Sequence, residues 1–195
     1  MPLVLLATCS ELPTGDEDAD ALVEALDSVG VDARWQVWND PAAKWDGGLV
    51  VVRSTWDYTS DRAAFLEWAK SVPRLENAAT VIAWNSDKGY LRDLADVDVP
   101  VVPTTWVLPG ADVELPQTGD VVIKPSVGAG SRGAGRFGPD ARDAAREHVR
   151  ALHEAGRSVL VQPYLDGIDT VGETALIYLD GVFSHAVAKA AMLAP

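Results

Sequence analysis

The stretch that most constrains this chain runs from Val121 to Phe137, Val-Val-Ile-Lys-Pro-Ser-Val-Gly-Ala-Gly-Ser-Arg-Gly-Ala-Gly-Arg-Phe. Val121 to Ile123 is a short β-branched run that reads as a buried strand. It delivers one lysine, Lys124, and Pro125 then stops the ladder because it has no N–H to donate. Gly, Ala and Ser dominate the chain from Ser126 to Gly135. Such a loop lets backbone N–H groups approach a polyphosphate without Cβ clashes, and it can move as a lid. Composition alone describes a flexible surface linker equally well. The strand ending in lysine before it, and the amphipathic helix expected after it, favour the phosphate reading.

A competing motif lies in the same stretch. Gly128-x-Gly130-x-x-Gly133 satisfies the dinucleotide pattern G-x-G-x-x-G. That pattern requires a helix to open inside the glycine run, so that its N-terminus meets the pyrophosphate. Here Arg136, Phe137 and Gly138 intervene before Pro139 can open a helix, and no acidic residue ends a strand about 20 residues on. The P-loop also fails, because no Gly-Lys-Ser/Thr closes the run. A lid over nucleotide phosphates fits better than either.

The net charge of −13 argues against nucleic acid or an anionic membrane as partner. No apolar run approaches the ~20 residues of a membrane span, and Met1 to Thr8 reads as a first strand, not a signal peptide. Cys9 is the only cysteine, so no intrachain disulfide forms and a cytoplasmic protein is expected. The lysines are Lys44, Lys70, Lys88, Lys124 and Lys189. The last three fall where phosphate contacts are expected.

Taken in order, Leu3 to Ala7 is a strand, and Thr14-Gly15-Asp16 caps a helix with the stripe Ala19, Leu22, Val23, Leu26 and Val29. Ala33 to Val37 and Gly48 to Val52 are strands, the latter continuous and apolar as in a parallel sheet. A helix comes next, from about Asp61 to Ser71. This rhythm predicts an open α/β layer whose ligands bind beyond the carboxyl ends of its strands. The polar-aromatic cluster Arg53, Ser54, Thr55, Trp56, Asp57 and Tyr58 either lines a substrate pocket there or is a turn with Asp57 or Thr59 capping the next helix. Val81 to Trp84 reads as a short strand. Asn85-Ser86-Asp87 then caps a helix with Lys88 in its first turn, where the dipole opposes a lysine unless an anion is near. Val99 to Trp106 is a linker entering a strand. After the lid come a helix from Pro139 to Gly156, a strand from Ser158 to Leu165, a turn at Asp166 to Asp169, and a hairpin of Glu173 to Leu179 with Val182 to Ala188 about Asp180-Gly181.

Together, Lys88 in Asn-Ser-Asp-Lys, Lys124 in Val-Val-Ile-Lys-Pro-Ser and the strand Val161-Gln162-Pro163-Tyr164-Leu165 resemble the ATP-grasp superfamily. Arg53-Ser54-Thr55-Trp56-Asp57-Tyr58 and Gly181-Val-Phe-Ser-His-Ala-Val-x-Lys189 are similar to its glutathione-synthetase-like branch. The resemblance implies an α/β protein with an α+β second half. Residues 1–84 would be a Rossmann-like pre-ATP-grasp domain on the substrate side, and residues 85–195 an ATP-grasp region incomplete at its C-terminus.

The resemblance also implies roles. Lys88 and Lys124 would neutralise the α- and β-phosphates of ATP as compact ammonium charges. Ser126, Gly130, Ser131 and Gly133 would offer lid N–H groups, and Arg132 would meet the transferring phosphoryl. The side chain of Gln162 and the carbonyl of Pro163 would accept from the adenine amino group, the N–H of Leu165 would donate to a ring nitrogen, and Asp169 would accept from ribose unless it is a simple turn residue. Lys189 joins Lys124 and Arg132 as catalytic, and His185 joins the Ser54–Tyr58 cluster as a substrate residue. Mg²⁺ is expected in the full-length enzyme, with its ligands on strands after Pro195 and none in this chain.

The function implied is an ATP-dependent ligase that joins a small-molecule carboxylate to an amine, or closes a ring within one molecule, through an acyl phosphate. The chain would be its N-terminal fragment, inactive alone, with a strand edge near Val182 to Ala188 open to homodimer or edge-strand association. Two other readings stand beside it: a non-catalytic ATP/ADP-binding module lacking the metal half, and an NAD(P)-binding oxidoreductase.

Overall fold

The computed structural model describes residues 1–193 and divides into two compact units, Met1–Asp93 and Leu94–Pro195. The first opens with β1 (Leu3–Thr8), α1 (Ala19–Ser28), β2 (Asp32–Val37) and β3 (Leu49–Ser54). A 3₁₀ turn, Trp56–Thr59, leads to α2 (Arg62–Ser71), β4 (Leu75–Glu76), α3 (Ala79–Asn85) and α4 (Tyr90–Asp96), which crosses the division. The strands lie in the order β2-β1-β3-β4, all parallel. Leu5, Ala7 and Val50 are buried with Val72 and are covered by Trp45, Trp68 and Leu75. A second cluster gathers Trp38, Phe65, Ala69 and Ile82, with Trp38 edge-on to Phe65 at 5.1 Å between centroids.

Several local expectations change here. Val81 to Trp84 is not a strand but the body of α3. Ile82 is 6% exposed while Val81 and Trp84 are 43% and 44% exposed, the one-sided burial of a helix at the rim of a core. A four-residue apolar run carries no period by which to choose between the two. Helix α1 starts at Ala19, not within Thr14–Asp16. The Asp61 carboxylate, not Asp57 or Thr59, caps α2 by accepting from the Ala64 N–H at 2.9 Å. Lys88 sits in the turn before α4, where its carbonyl accepts from Leu91 at 3.0 Å and the Asp87 carboxylate accepts from the Gly89 N–H at 2.8 Å. Lys88 thus lies just before α4 rather than in its first turn.

The second unit comprises β5 (Thr105–Val107), β6 (Val121–Pro125), β7 (Gly135–Phe137), a 3₁₀ turn at Pro139–Ala141, α5 (Arg142–Glu154), β8 (Val159–Pro163), α6 (Gly167–Val171), β9 (Glu173–Leu179) and β10 (Val182–Lys189). Its main sheet has the order β5-β8-β6-β7, every neighbour antiparallel. Strands β9 and β10 form a separate two-stranded hairpin. Two elements go beyond expectation. The end of the glycine stretch is strand β7, and the turn at Asp166–Asp169 continues as α6.

Alternation divides the main sheet cleanly. Val121, Ile123, Val159 and Val161 are at most 4% exposed and pack with Ala145, Val149 and Leu152 of α5 and with Val107. Residues directly opposite across an antiparallel pair share a face. The other face therefore carries two rows. Lys124 lies opposite Leu160, itself opposite Trp106; Arg136 lies opposite Val122, itself opposite Gln162. Among the described residues no helix is long and apolar enough to cross a membrane.

Candidate functional site

Strand β6 turns back as β7, so the glycine-rich stretch from Ser126 to Ala134 is the loop of an antiparallel hairpin. The dinucleotide pattern needs a helix at that point; a strand is there instead, and the NAD(P) reading loses its basis. Gly130 and Ser131 adopt φ of 57° and 58°, and Gly133 adopts 74°. A Cβ on Gly133 would also touch Pro125 and Leu152 at 3.5 Å. The Gly133 carbonyl accepts from Nε2 of His148 at 2.9 Å, anchoring the loop's return to α5. One expected phosphate donor is engaged, the Ser126 N–H donating to the Ser158 carbonyl, and within the loop the backbone N–H of Arg132 donates to the Ala129 carbonyl.

Lys124 stands where the loop leaves β6, on the face away from α5. Burial lowers its pKa, and the negative charge of Glu173 partly opposes that shift. Burial disfavours the ammonium, and an arriving anion would restore it. Glu173 is also the residue opposite Lys189 in the β9–β10 register. His185 is exposed on β10, with Nδ1 at 3.0 Å from the Ser184 hydroxyl.

The strand expected to hold adenine is β8. Gln162 is 5% exposed and its amide nitrogen donates to the Thr104 hydroxyl at 2.7 Å; the role expected of it uses the amide oxygen. Pro163 and Leu165 are exposed, and between them Tyr164 is buried. Asp169, expected at ribose, accepts from the Tyr164 hydroxyl and from Nη1 of Arg136, whose nearer contact is 2.9 Å. Those two hydrogen bonds, Tyr164 first, hold its carboxyl below the usual range, and the same bond raises the tyrosine. Arg136 also donates from Nε to Asp120 at 2.7 Å and lies 3.5 Å from the centroid of the Tyr164 ring. Neither Arg136 nor Tyr164 was expected to matter. The signal was alternation, which puts Arg136 on the Lys124 face once β7 is known to be a strand.

In the first unit the strand order reverses between β1 and β3, and ligands of open α/β sheets bind at such a switch point. Ser54 and Thr55 lie there, 0% and 4% exposed. The Ser54 hydroxyl donates to Asp16 at 2.7 Å, and Arg53 approaches the same carboxylate at 3.7 Å. The Asp57 carboxylate accepts from Nε1 of the buried Trp38 at 2.7 Å. Tyr58 packs 5.3 Å from Phe65, and burial raises its hydroxyl pKa. Trp56 is exposed. Asp57→Ala would leave the indole N–H buried without an acceptor and should cost about 1–3 kcal/mol of stability, read by urea unfolding. An unchanged midpoint with weakened substrate binding would assign Asp57 to the ligand instead.

Among the described residues no group of three or more His, Cys, Asp or Glu is arranged to hold a metal ion.

Comparison with known proteins agrees with this architecture. Residues 4–80 match the family model described as D-cycloserine synthetase DcsG, N-terminal domain. The cycloserine biosynthesis protein DcsG of Streptomyces lavendulae is 37% identical over 206 residues, covering 99% of this chain and 69% of the relative. The crystal structure of D-cycloserine synthetase DcsG superposes with a TM-score of 0.89 at 37% identity, over 99% of this chain and 69% of that one. A RimK-domain ATP-grasp protein from Sphaerobacter thermophilus shares the fold with a TM-score of 0.57 at 22% identity, over 83% of this chain and 64% of its own. D-alanine–D-alanine ligase from Bacillus anthracis does so with a TM-score of 0.63 at 15% identity, over 85% and 58%. The fold is thus shared with an ATP-grasp protein, and the extent of the DcsG match establishes that this chain belongs to the DcsG family.

Proposed function

We propose that the second unit binds ATP on the sheet face opposite α5, within an ATP-dependent ligase that joins a carboxylate to an amine. The observation that carries this reading is Lys124: a half-buried ammonium at the mouth of a glycine hairpin, on the same face as Gln162. The two lie in adjacent rows of the sheet, roughly 7 Å apart along the strands, a span that suits a nucleotide with its base at Gln162 and its phosphates at Lys124.

In the reaction, a carboxylate oxygen attacks the γ-phosphorus and the bond to the β-phosphate oxygen breaks, releasing ADP. The amine nitrogen then attacks the acyl carbon, phosphate leaves, and the amine loses a proton. Lys124 neutralises charge on the phosphates, and the lid from Ser126 to Ala134 closes over them and excludes water. Arg132 meets the transferring phosphoryl, and Lys189, with Glu173 across the hairpin, steadies the reacting carboxylate. The segment Ser54–Tyr58 at the switch point of the first sheet takes the substrate. A relative's role in cycloserine biosynthesis makes an amino-acid derivative, closed on itself, the first substrate class to try.

Calorimetry tests the nucleotide. ADP should bind more tightly than NAD(H); the reverse order overturns the reading. The affinity should be level near neutral pH and fall as pH climbs through the lowered pKa of Lys124, before an ordinary lysine would lose its proton. In that range binding takes up a proton, visible as a dependence of the heat on buffer ionisation.

A further inference from the structure

The Arg136 side chain meets two carboxylates and an aromatic ring in the second unit, and no role proposed above uses it. It extends from β7 on the sheet face that carries Lys124, but in the row of Val122 and Gln162. Lys124 and the lid lie one row away, toward the other end of β6. Its Nε donates to Asp120, just before β6, and its Nη1 to Asp169, on α6 just after β8. Its plane lies on the Tyr164 ring, and the Tyr164 hydroxyl donates to the same Asp169. The Tyr164 N–H donates to the Asp120 carbonyl at 2.9 Å. The exit from β8 is thus held from three sides by one guanidinium fork.

The charge balance points away from phosphate. One guanidinium faces two carboxylates, so the cluster is negative overall and repels a polyphosphate while tolerating a neutral base. The Arg136 side chain is only 10% exposed, which leaves little of it to a ligand. A lysine could replace the charge but not the planar fork that meets two carboxylates and a ring together.

We propose that Arg136 is a positioning residue for the base end of the nucleotide site, holding Tyr164 and Asp169 so that Gln162, Pro163 and Leu165 present a fixed edge to adenine. This rests on the ATP reading above. It also makes Asp169 chiefly a partner of Arg136, with ribose contact secondary.

The test is calorimetry on the whole 195-residue chain with ADP, adenosine and pyrophosphate. Arg136→Lys should weaken ADP by about 10-fold, the scale of coupling between contacting groups. Adenosine should weaken by the same factor and pyrophosphate should be unchanged. Tyr164→Phe, which removes one hydroxyl and keeps the ring, should shift ADP and adenosine in the same direction by less; it also serves if the arginine variant fails to fold. Weakened pyrophosphate binding would mean that Arg136 touches phosphate, and would overturn the proposal. So would unchanged ADP affinity in the folded lysine variant, whether or not its melting temperature falls. Wild-type protein that binds none of the three overturns the nucleotide reading itself, and this inference with it.

Discussion

Lys124→Ala is expected to weaken ADP binding by about 1–3 kcal/mol, roughly 5- to 150-fold. The unfolding midpoint should move little. The expectation rests on where the ammonium lies. Its pKa is lowered by burial, and Glu173 opposes that shift only in part. Among the described residues no carboxylate stands within ion-pair distance of it. Folding therefore gains little from the charge, whereas a bound phosphate would gain a nearby cation in a partly dry setting. Calorimetry and thermal unfolding of the variant decide together. Unchanged ADP affinity with a lower melting temperature would make Lys124 a structural lysine and remove the observation on which the proposed function rests.

Ile123→Ala, one residue earlier on the same strand, should behave in the opposite way. Ile123 is 0% exposed and packs within the cluster of Val121, Val149, Val159 and Val161. Truncating it removes buried methyl groups and leaves a cavity, at a cost of about 2–5 kcal/mol. Urea unfolding should show an earlier midpoint with little change in slope. Under conditions where the variant is still folded, its ADP affinity should stay close to that of the parent. Adjacent positions with separable effects would be the signature of a sheet with one face on the core and one on a ligand. A loss of affinity as large as that of Lys124→Ala, in protein shown to be folded, would argue that the two faces are not independent.

Much of this was legible in the order of residues. Short apolar or β-branched runs marked β1, β3, β6 and β8, because a strand buried among helices has few alternatives to Val, Ile and Leu. The Asp180-Gly181 turn marked the β9–β10 hairpin, since a tight antiparallel reversal demands a positive φ at its centre; the two residues adopt 49° and 75°. A lone lysine at the end of a strand before a glycine run was enough to suggest a phosphate site. What remained hidden was short or context-dependent. Val81 to Trp84 carries too few residues to show a period, and only the burial of Ile82 against Phe65 and Ala69 made it helical. Gly135-Arg136-Phe137 has weak strand propensity and became β7 because β6 offered a free edge and the α5 core offered Phe137 a place to pack. The grouping of Arg136 with Asp120, Tyr164 and Asp169 joins residues up to 49 positions apart (120 to 169). No local pattern records such a contact. Local chemistry, in turns and strand faces, is written along the chain. Which distant side chains share a charge or a ring face is decided only when the sheet closes and sets the register.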